Sequence, residues 1–258
     1  MSSTVMVRHG NKEPLKGKID PDLTQLGKLQ SIKTGLQNLQ SYKPEFWQNH
    51  VAVVSPFKRT VQTALLSLAQ VDWNEGQVPQ IILDPNAAET IADNTCIWST
   101  RDELLQWYDH GLMHSLHEGV EEAVLEGLIK PENADQVYDR LNKLVDAMDI
   151  SAIQNSPVQE VWPTNGSLID GYETPQDAQM RLDELKSQHG DKLILFTHST
   201  FIAAVMHKKL ATEFDGAACD ENIDAPVAQM QRQIAECGVY RLERGMDALF
   251  VPNHPYPE

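Results

Sequence analysis

The sequence predicts an α/β fold with a mostly parallel central sheet, helices on both faces and an inserted helical cap. Short runs of β-branched and aliphatic residues occur at 4–7, 51–54 and 193–196, and segments with helical spacing of apolar residues separate them. Such runs, with few polar residues, are typical of strands covered on both faces, as in parallel sheets. Strands that alternate with helices favour an α/β layer structure.

The first strand and the first helix are predicted from residues 4–39. The strand at 4–7 ends abruptly at Arg8 and His9. Thr24 is predicted to be the N-cap of the helix, and Gly35 is predicted to be a weak point inside it. The helix is indicated by apolar residues that recur every three or four positions, at Leu26, Leu29, Ile32, Leu36 and Leu39.

Two further strands are predicted before the middle of the chain. The strand at 51–54 is followed by Pro56, which suits the first turn of the next helix. The strand at 81–83 leads into a loop that carries Glu89.

The middle of the chain is predicted to be a helical insertion. Residues 100–150 are acidic and show helical spacing with no strand pattern, and the proline- and glycine-containing segment that follows is predicted to be a loop. We therefore expect a single domain over 1–258, with 100–170 as the helical cap. The remaining predicted elements are a helix at 174–188, the strand at 193–196, a helix at 201–210, a loop at 212–224, a short helix and a last strand at 238–242.

The composition excludes several classes of function. Lysine and arginine number 21 and aspartate and glutamate 37, so the formal net charge is 21 − 37 = −16. A surface this acidic repels nucleic acid and anionic membranes. No apolar run approaches the roughly 20 residues of a membrane helix. Three cysteines without metal-ligand spacing favour reduced thiols, and with no signal sequence evident we expect a cytoplasmic protein.

Four polar side chains are predicted to converge at one edge of the sheet. Arg8 and His9 end the first strand, His198 follows the strand at 193–196, and Arg59 lies early in the helix after the second strand. The carboxyl ends of strands in open α/β sheets are where ligands bind. Arginine holds phosphate in a two-pronged contact and keeps its charge, and a neutral imidazole can attack phosphorus. The leaving oxygen needs a proton, so a carboxylic acid is expected nearby.

These residues resemble the signatures of the histidine phosphatase superfamily, the phosphoglycerate-mutase-like proteins, and in particular branch 1. The resemblance rests on five segments that follow one another in the family's order over nearly the whole chain. They are Arg8-His9-Gly10, the segment 22–30 that begins Asp-Leu-Thr-Gln-Leu-Gly, the segment 55–64 (Ser-Pro-Phe-Lys-Arg-Thr-Val-Gln-Thr-Ala), the segment 171–175 with Arg181, and Thr197-His198-Ser199.

The resemblance implies a role for each of these residues. His9 becomes phosphorylated, and Arg8, Arg59 and His198 form the phosphate pocket. Glu89 is the proton donor, although Asp84 and Asp93 lie close to it in the sequence. Asn11 stands where many relatives carry Glu or Gln, and we expect it to contact the phosphate. Neither a metal ion nor an organic cofactor is required.

The expected function is hydrolysis of a phosphomonoester, either a small phosphorylated molecule or a phosphoprotein. Two alternatives stay open: a phosphoglycerate-type mutase, and a non-catalytic module that binds a phosphorylated ligand. The acidic insertion lacks an adjacent arginine pair, which disfavours the mutase. His110, His114 and His117 have a spacing that could bind a transition metal, but a polar helix face is the simpler interpretation. The sequence specifies neither the natural substrate nor the oligomeric state.

Overall fold

The computed structural model describes residues 3–13, 20–73, 78–88, 99–155, 168–169, 172–213, 236, 238–243 and 249–251. Its strands are β1 (Ser3–Arg8), β2 (Val51–Val54), β3 (Ile81–Leu83), β4 (Met148–Asp149), β5 (Leu168–Ile169), β6 (Tyr172–Glu173), β7 (Lys192–Thr197), β8 (Val239–Glu243) and β9 (Leu249–Val251). Its α-helices are α1 (Gln25–Gln37), α2 (Pro44–Asn49), α3 (Lys58–Leu68), α4 (Arg101–His110), α5 (Leu112–Leu125), α6 (Ala134–Asp146), α7 (Ser151–Gln154), α8 (Pro175–His189) and α9 (Ser199–Glu213).

The main sheet is mostly parallel, as the sequence predicts. Its seven strands, counted within the described residues, lie in the order β4-β3-β2-β7-β1-β8-β9. The first five strands are parallel to one another, whereas β8 is antiparallel to β1 and β9 is antiparallel to β8. Strands β5 and β6 form a separate antiparallel pair. The carboxyl ends of β1, β2 and β7 therefore meet at one edge, where ligands bind in such sheets.

Alternating side chains of the central strands build a hydrophobic core on each face of the sheet. Val5 and Val7 of β1 belong to the core that contains α1 and α3, whereas Met6 between them belongs to the core that contains α8 and α9. Strand β7 divides in the same way, because neighbouring residues of a strand point to opposite faces. The expectation of helices on both faces is confirmed.

Helix α1 begins where the sequence predicts, and Gly35 lies inside it at a close contact with α3. The Thr24 side chain accepts a hydrogen bond from the Gly27 amide at 3.0 Å, which confirms the N-cap. Gly35 marks a close approach between α1 and the end of α3, since a Cβ atom there would lie 2.3 Å from the Ser67 carbonyl oxygen. The glycine is needed for this packing, which is the physical reason for a residue of low helix propensity inside α1.

Three expectations about element boundaries need correction. Pro56 lies before α3, which begins at Lys58, and its carbonyl oxygen accepts a hydrogen bond from the Tyr108 hydroxyl at 3.0 Å. The segment 100–150 contains the strand β4, whose two residues are too few to produce a strand pattern. A further strand, β9, follows the one that was predicted to be last.

The helices of the segment 100–150, which the sequence predicts to be an insertion, share a core with the helices that lie on the sheet. Leu112, Leu116 and Val120 of α5 are fully buried in the same cluster as Leu66 of α3 and Ile32 of α1. This side of the molecule is therefore one continuous hydrophobic core, and α5 is fixed by packing against both α1 and α3. Among the described helices, none combines the length and apolarity needed to cross a membrane.

Candidate active site

The register between β1 and β7 brings the two predicted histidines together. Arg8 is paired with Thr197 across the two parallel strands, and the His9 amide donates a hydrogen bond to the Thr197 carbonyl oxygen at 3.1 Å. The next residue of each strand is therefore a histidine at the same sheet edge. The rings of His9 and His198 lie 5.1 Å apart between centroids in an edge-to-face arrangement. Both side chains are buried.

The hydrogen bond of His9 determines which ring nitrogen can act as a nucleophile. His9 Nδ1 lies 2.7 Å from the Gly10 carbonyl oxygen, and a carbonyl can only accept. Nδ1 therefore carries the proton in the neutral ring, and Nε2 keeps its lone pair. Burial, followed by the charges of Arg59 and Arg8, lowers the pKa of His9 well below its usual value, so the ring is neutral at neutral pH.

His198 is held by partners on both ring nitrogens. Ser55 Oγ lies 2.9 Å from Nε2, with Thr60 Oγ1 at 3.4 Å. Arg59 Nη2 donates to Nδ1 at 3.4 Å, so the Nε2–H donates to Ser55. Burial is the main cause that lowers the pKa of His198 well below its usual value, and the charge of Arg59 adds to it. The second histidine is therefore neutral and fixed in one orientation.

Arg59 places a permanent positive charge in the interior of the site. It lies in the first turn of α3, its guanidinium is fully buried, and it stacks on the Phe57 ring at 4.0 Å from the centroid. Arg59 Nη1 lies 3.6 Å from Asp20 Oδ1, and both side chains are inaccessible to solvent. The structure thus places Arg59 beside His198 and adds a buried carboxylate next to its guanidinium.

Arg8 and Lys12 extend this positive region. Arg8 is half-buried at the end of β1, and its amide donates to the Gly238 carbonyl oxygen at 3.1 Å. The charge of Arg8 lowers the pKa of His9, and the charge of Lys12 lowers that of both His9 and His198. A protein with a net charge of −16 therefore has a local cationic site at this edge. Such a site suits an anionic group such as phosphate.

A family profile matches most of the segment that builds this site. The profile of the histidine phosphatase superfamily (branch 1) covers residues 4–158, which is more than half of the chain. The chain belongs to branch 1 of the histidine phosphatase superfamily. The profile match includes His9 and Arg59 and ends before His198, which the β1–β7 register brings beside His9.

Solved structures with this histidine phosphatase fold align with nearly the whole chain. The ecdysone phosphate phosphatase from Bombix mori, in complex with tungstate, is 14% identical with a TM-score of 0.50, over 100% of this chain and 95% of that chain. A phosphoserine phosphatase mutant from Entamoeba histolytica, in complex with phosphoserine, is 15% identical with a TM-score of 0.46. The alignment covers 98% of this chain and 96% of that chain. A mycobacterial glucosyl-3-phosphoglycerate phosphatase is 16% identical with a TM-score of 0.42, and the alignment covers 93% of this chain and 89% of that chain. Among curated proteins, none matches the sequence.

Asn11 is positioned beside the histidine phosphatase signature, but its side chain contacts other protein groups. Its Oδ1 accepts a hydrogen bond from Thr24 Oγ1 at 2.8 Å, and its Nδ2 donates to Glu236 Oε1 at 3.1 Å. Its backbone amide donates to Gln30 Oε1 at 2.8 Å. Asn11 thus links the loop after β1 to the start of α1, and its contact with phosphate stays a prediction.

Glu89, the predicted proton donor, lies outside the described residues, as does Asp93. The segment that leads directly to Glu89 is described and is held by side chains of α8 and β7. Arg181 donates to the Asn86 carbonyl oxygen from Nε at 3.1 Å and from Nη2 at 2.7 Å, and Nη2 also donates to the Ala88 carbonyl oxygen. The Thr197 hydroxyl donates to the carbonyl oxygen of Ala87. Three consecutive carbonyl groups before Glu89 are therefore fixed.

The three histidines of the insertion do not share one helix. His110 ends α4, and Gly111 separates it from His114 and His117 on α5, which corrects the expected common helix face. His114 Nε2 lies 3.2 Å from Glu118 Oε1, and the His117 ring packs edge-to-face on Tyr138. Within the described residues, no group of His, Cys, Asp and Glu side chains is arranged to hold a metal ion.

Three side chains of the site were not predicted individually from the sequence: Lys12, Asp20 and Ser55. Ser55 directly follows a predicted strand, so the rule that placed His198 at the sheet edge could have identified it. Lys12 and Asp20 belong to the loop after β1, and no local pattern distinguishes them from other polar loop residues. Their proximity to Arg59 and His9 depends on contacts distant in the sequence, such as the hydrogen bond from the Lys58 amide to Asp20 Oδ1 at 3.1 Å.

Proposed function

We propose that this protein hydrolyses phosphomonoesters through a phosphohistidine intermediate on His9. The observation that carries the proposal is the hydrogen bond between His9 Nδ1 and the Gly10 carbonyl oxygen at 2.7 Å, because it leaves the Nε2 lone pair available for attack. Arg59 and His198 lie in the same buried site and are suited to stabilise charge on the transferring phosphoryl oxygens. The substrate is a small phosphorylated molecule or a phosphoprotein.

The proposed reaction has two steps. In the first, His9 Nε2 forms a bond to phosphorus, the bond from phosphorus to the ester oxygen breaks, and Glu89 gives its proton to the leaving oxygen. In the second, a water molecule attacks phosphorus, the phosphorus–nitrogen bond breaks, and the Glu89 carboxylate accepts a proton from the water. Inorganic phosphate leaves, and both His9 and Glu89 return to their starting states.

The proposed chemistry uses side chains alone, so we propose that turnover requires neither a metal ion nor an organic cofactor. The arginines supply the fixed positive charge that a metal ion supplies in other phosphoryl-transfer sites. Turnover of the native protein should therefore be unchanged in the presence of a strong chelator. We also propose a location in the cytoplasm, because three cysteines, an odd number without a CxxC spacing, favour reduced thiols.

The test is hydrolysis of 4-nitrophenyl phosphate and of an alkyl phosphate by the native protein and by the variants His9→Ala and Glu89→Gln. We expect His9→Ala to lose activity by at least about 10³-fold, because the nucleophile is removed. Glu89→Gln should lose about 10²-fold or more on an alkyl phosphate, where the leaving group needs a proton. Rapid quenching at alkaline pH should trap phosphate on histidine in the native protein but not in His9→Ala.

Two outcomes would redirect the proposal. Binding of inorganic phosphate without turnover of any phosphomonoester would favour a binding module. Return of the phosphoryl group from His9 to a second organic acceptor, in preference to water, would favour a mutase. Activity that survives His9→Ala would contradict the proposed nucleophile.

A further inference from the structure

Asp20 is a buried carboxylate that contacts the proposed phosphate site from its interior side. Its Oδ1 lies 3.6 Å from Arg59 Nη1, and both side chains are fully buried. The same carboxylate accepts the backbone N–H of Lys58, at 3.1 Å to Oδ1 and 3.3 Å to Oδ2. Asp20 thus pairs with the residue that also donates to His198 Nδ1 at 3.4 Å.

Burial and the neighbouring charges act on the pKa of Asp20 in opposite directions. Burial raises the pKa of Asp20 to about 7, whereas Arg59 and Lys58 act to lower it and the like charge of Asp22 acts to raise it. Among the described residues, Tyr108 is a further ionisable group that interacts with Asp20, and its hydroxyl donates to the Pro56 carbonyl oxygen at 3.0 Å. Burial raises the pKa of Tyr108 far above neutrality, so its hydroxyl stays uncharged.

An anion bound in the pocket would place a second negative charge on the other side of the Arg59 guanidinium. Two anions would then share one buried cation, and their repulsion favours the neutral form of the one that can take a proton. A phosphate monoester is mainly a dianion at neutral pH, and a buried site screens charges weakly. Asp20 is the partner that can be neutralised.

We propose that Asp20 is an internal counter-ion of Arg59 that takes up a proton from solvent when a tetrahedral dianion binds in the pocket. The inference rests on the proposed function, because it assumes that this pocket binds phosphate. In the free protein the Asp20 carboxylate balances the charge of Arg59. In the complex the bound dianion takes over that role, the proton resides on Asp20, and the buried site gains less net negative charge than the ligand brings.

The experiment is calorimetric titration with tungstate, a tetrahedral dianion that carries no proton of its own near neutral pH. Titrations in two buffers with different ionisation enthalpies give the number of protons taken up per ion bound. At about pH 7, close to the pKa of Asp20 of about 7, the native protein should take up a measurable fraction of a proton per ion bound. Asp20→Asn should bind tungstate with an uptake close to zero.

The matched control is Asp22→Asn, which removes a carboxylate from the same loop. Asp22 Oδ1 accepts a hydrogen bond from Gln62 Nε2 at 3.1 Å, and its charge raises the pKa of Asp20. Its removal leaves Asp20 more fully ionised before the ligand arrives, so the uptake should persist or increase. Asparagine also tolerates the left-handed backbone of Asp20, whose φ is 49°.

The outcomes separate this inference from the proposed function. Tungstate binding by the native protein without proton uptake, or an uptake that Asp20→Asn retains, would overturn the role of Asp20. No tungstate binding by the native protein would overturn the phosphate pocket itself. If Asp20→Asn does not fold, infrared difference spectra of the native protein decide: the carbonyl stretch of a protonated carboxyl must appear on tungstate binding, and its absence would overturn the inference.

Discussion

Each histidine of the site has its ring orientation fixed by a neighbouring residue. The carbonyl of Gly10 directs the proton of His9 to Nδ1, and Ser55 accepts the Nε2–H of His198. The two rings have opposite tautomers as a result, although both are neutral for the same reason, burial beside Arg59. The proposed nucleophile and the histidine proposed to bind phosphate are therefore distinguished by hydrogen bonding and not by their degree of burial.

Ser55→Ala tests this orientation at a single residue. The change removes the acceptor at 2.9 Å, whereas Thr60 Oγ1 lies at the longer distance of 3.4 Å from the same nitrogen. A buried donor without its partner costs about 1–3 kcal/mol in the free energy of unfolding. We expect kcat for 4-nitrophenyl phosphate to fall about 10-fold, because His198 stabilises the transferring oxygens less well when its ring is not fixed.

The control for this change is Ser67→Ala, which removes another fully buried serine hydroxyl. Ser67 Oγ donates to the Ser31 carbonyl oxygen at 2.9 Å, near the end of α3 remote from the site. It should lower stability without lowering kcat. A Ser55→Ala protein with native kcat would show that the hydrogen bond to His198 has no part in catalysis.

At the scale of elements, the segment before Glu89 is held by residues that are distant in the sequence. Arg181 of α8 binds the carbonyl groups of Asn86 and Ala88, and its guanidinium lies 5.0 Å from the centroid of the Phe201 ring on α9. His189 at the end of α8 lies 2.9 Å from Asp84 at the start of the same segment. Helix α8 therefore acts as a support for the chain that carries the proposed acid.

Arg181→Lys tests whether this support matters for proton donation. A lysine has one charged nitrogen and cannot reproduce the two-pronged contact of the guanidinium. If Glu89 is displaced, alkyl phosphates should lose about 10–100-fold more activity than 4-nitrophenyl phosphate, whose leaving group departs without a proton. Steady-state kinetics with the two substrate classes measures this ratio directly.

Arg140→Lys is the matched control for Arg181→Lys. Arg140 Nε also donates to a backbone carbonyl oxygen, that of Ala69, at 2.6 Å. Ala69 lies at the end of α3 that is away from the site. Its replacement should affect both substrate classes equally. An equal loss for both substrates in Arg181→Lys would indicate a general structural role for that residue.

Over the whole molecule, the sequence predicts the elements and their order better than the contacts between them. The runs at 51–54 and 193–196 were sufficient to place strands, and the residues that follow them gave His198 its position at the sheet edge. The pairing of Asp20 with Arg59 joins segments 39 positions apart in the sequence, and no periodicity encodes it. Glu89 stays a prediction because it rests on the family resemblance alone.

The pH dependence of stability tests the buried charges of the whole site. The pKa of Asp20 is raised from 3.8 to about 7 in the folded protein, so between these values the folded state binds more protons than the unfolded state. Stability from this group is therefore present at low pH and is lost as the pH rises towards 7. The lowered pKa values of His9 and His198 act in the opposite sense, because their stability is lost as the pH falls below about 6.5.

Comparison of the native protein with Asp20→Asn isolates the contribution of Asp20, because the histidines are present in both. The free energy of unfolding of the native protein, relative to the variant, should decrease by about 3 kcal/mol between about pH 5 and about pH 8. Urea unfolding at several pH values measures this difference. A difference that is independent of pH would show that Asp20 is ionised throughout the range, with Arg59 compensating fully for its burial. The calorimetric uptake at about pH 7 should then vanish as well, since a carboxylate that resists protonation in the free protein has a pKa far below that pH.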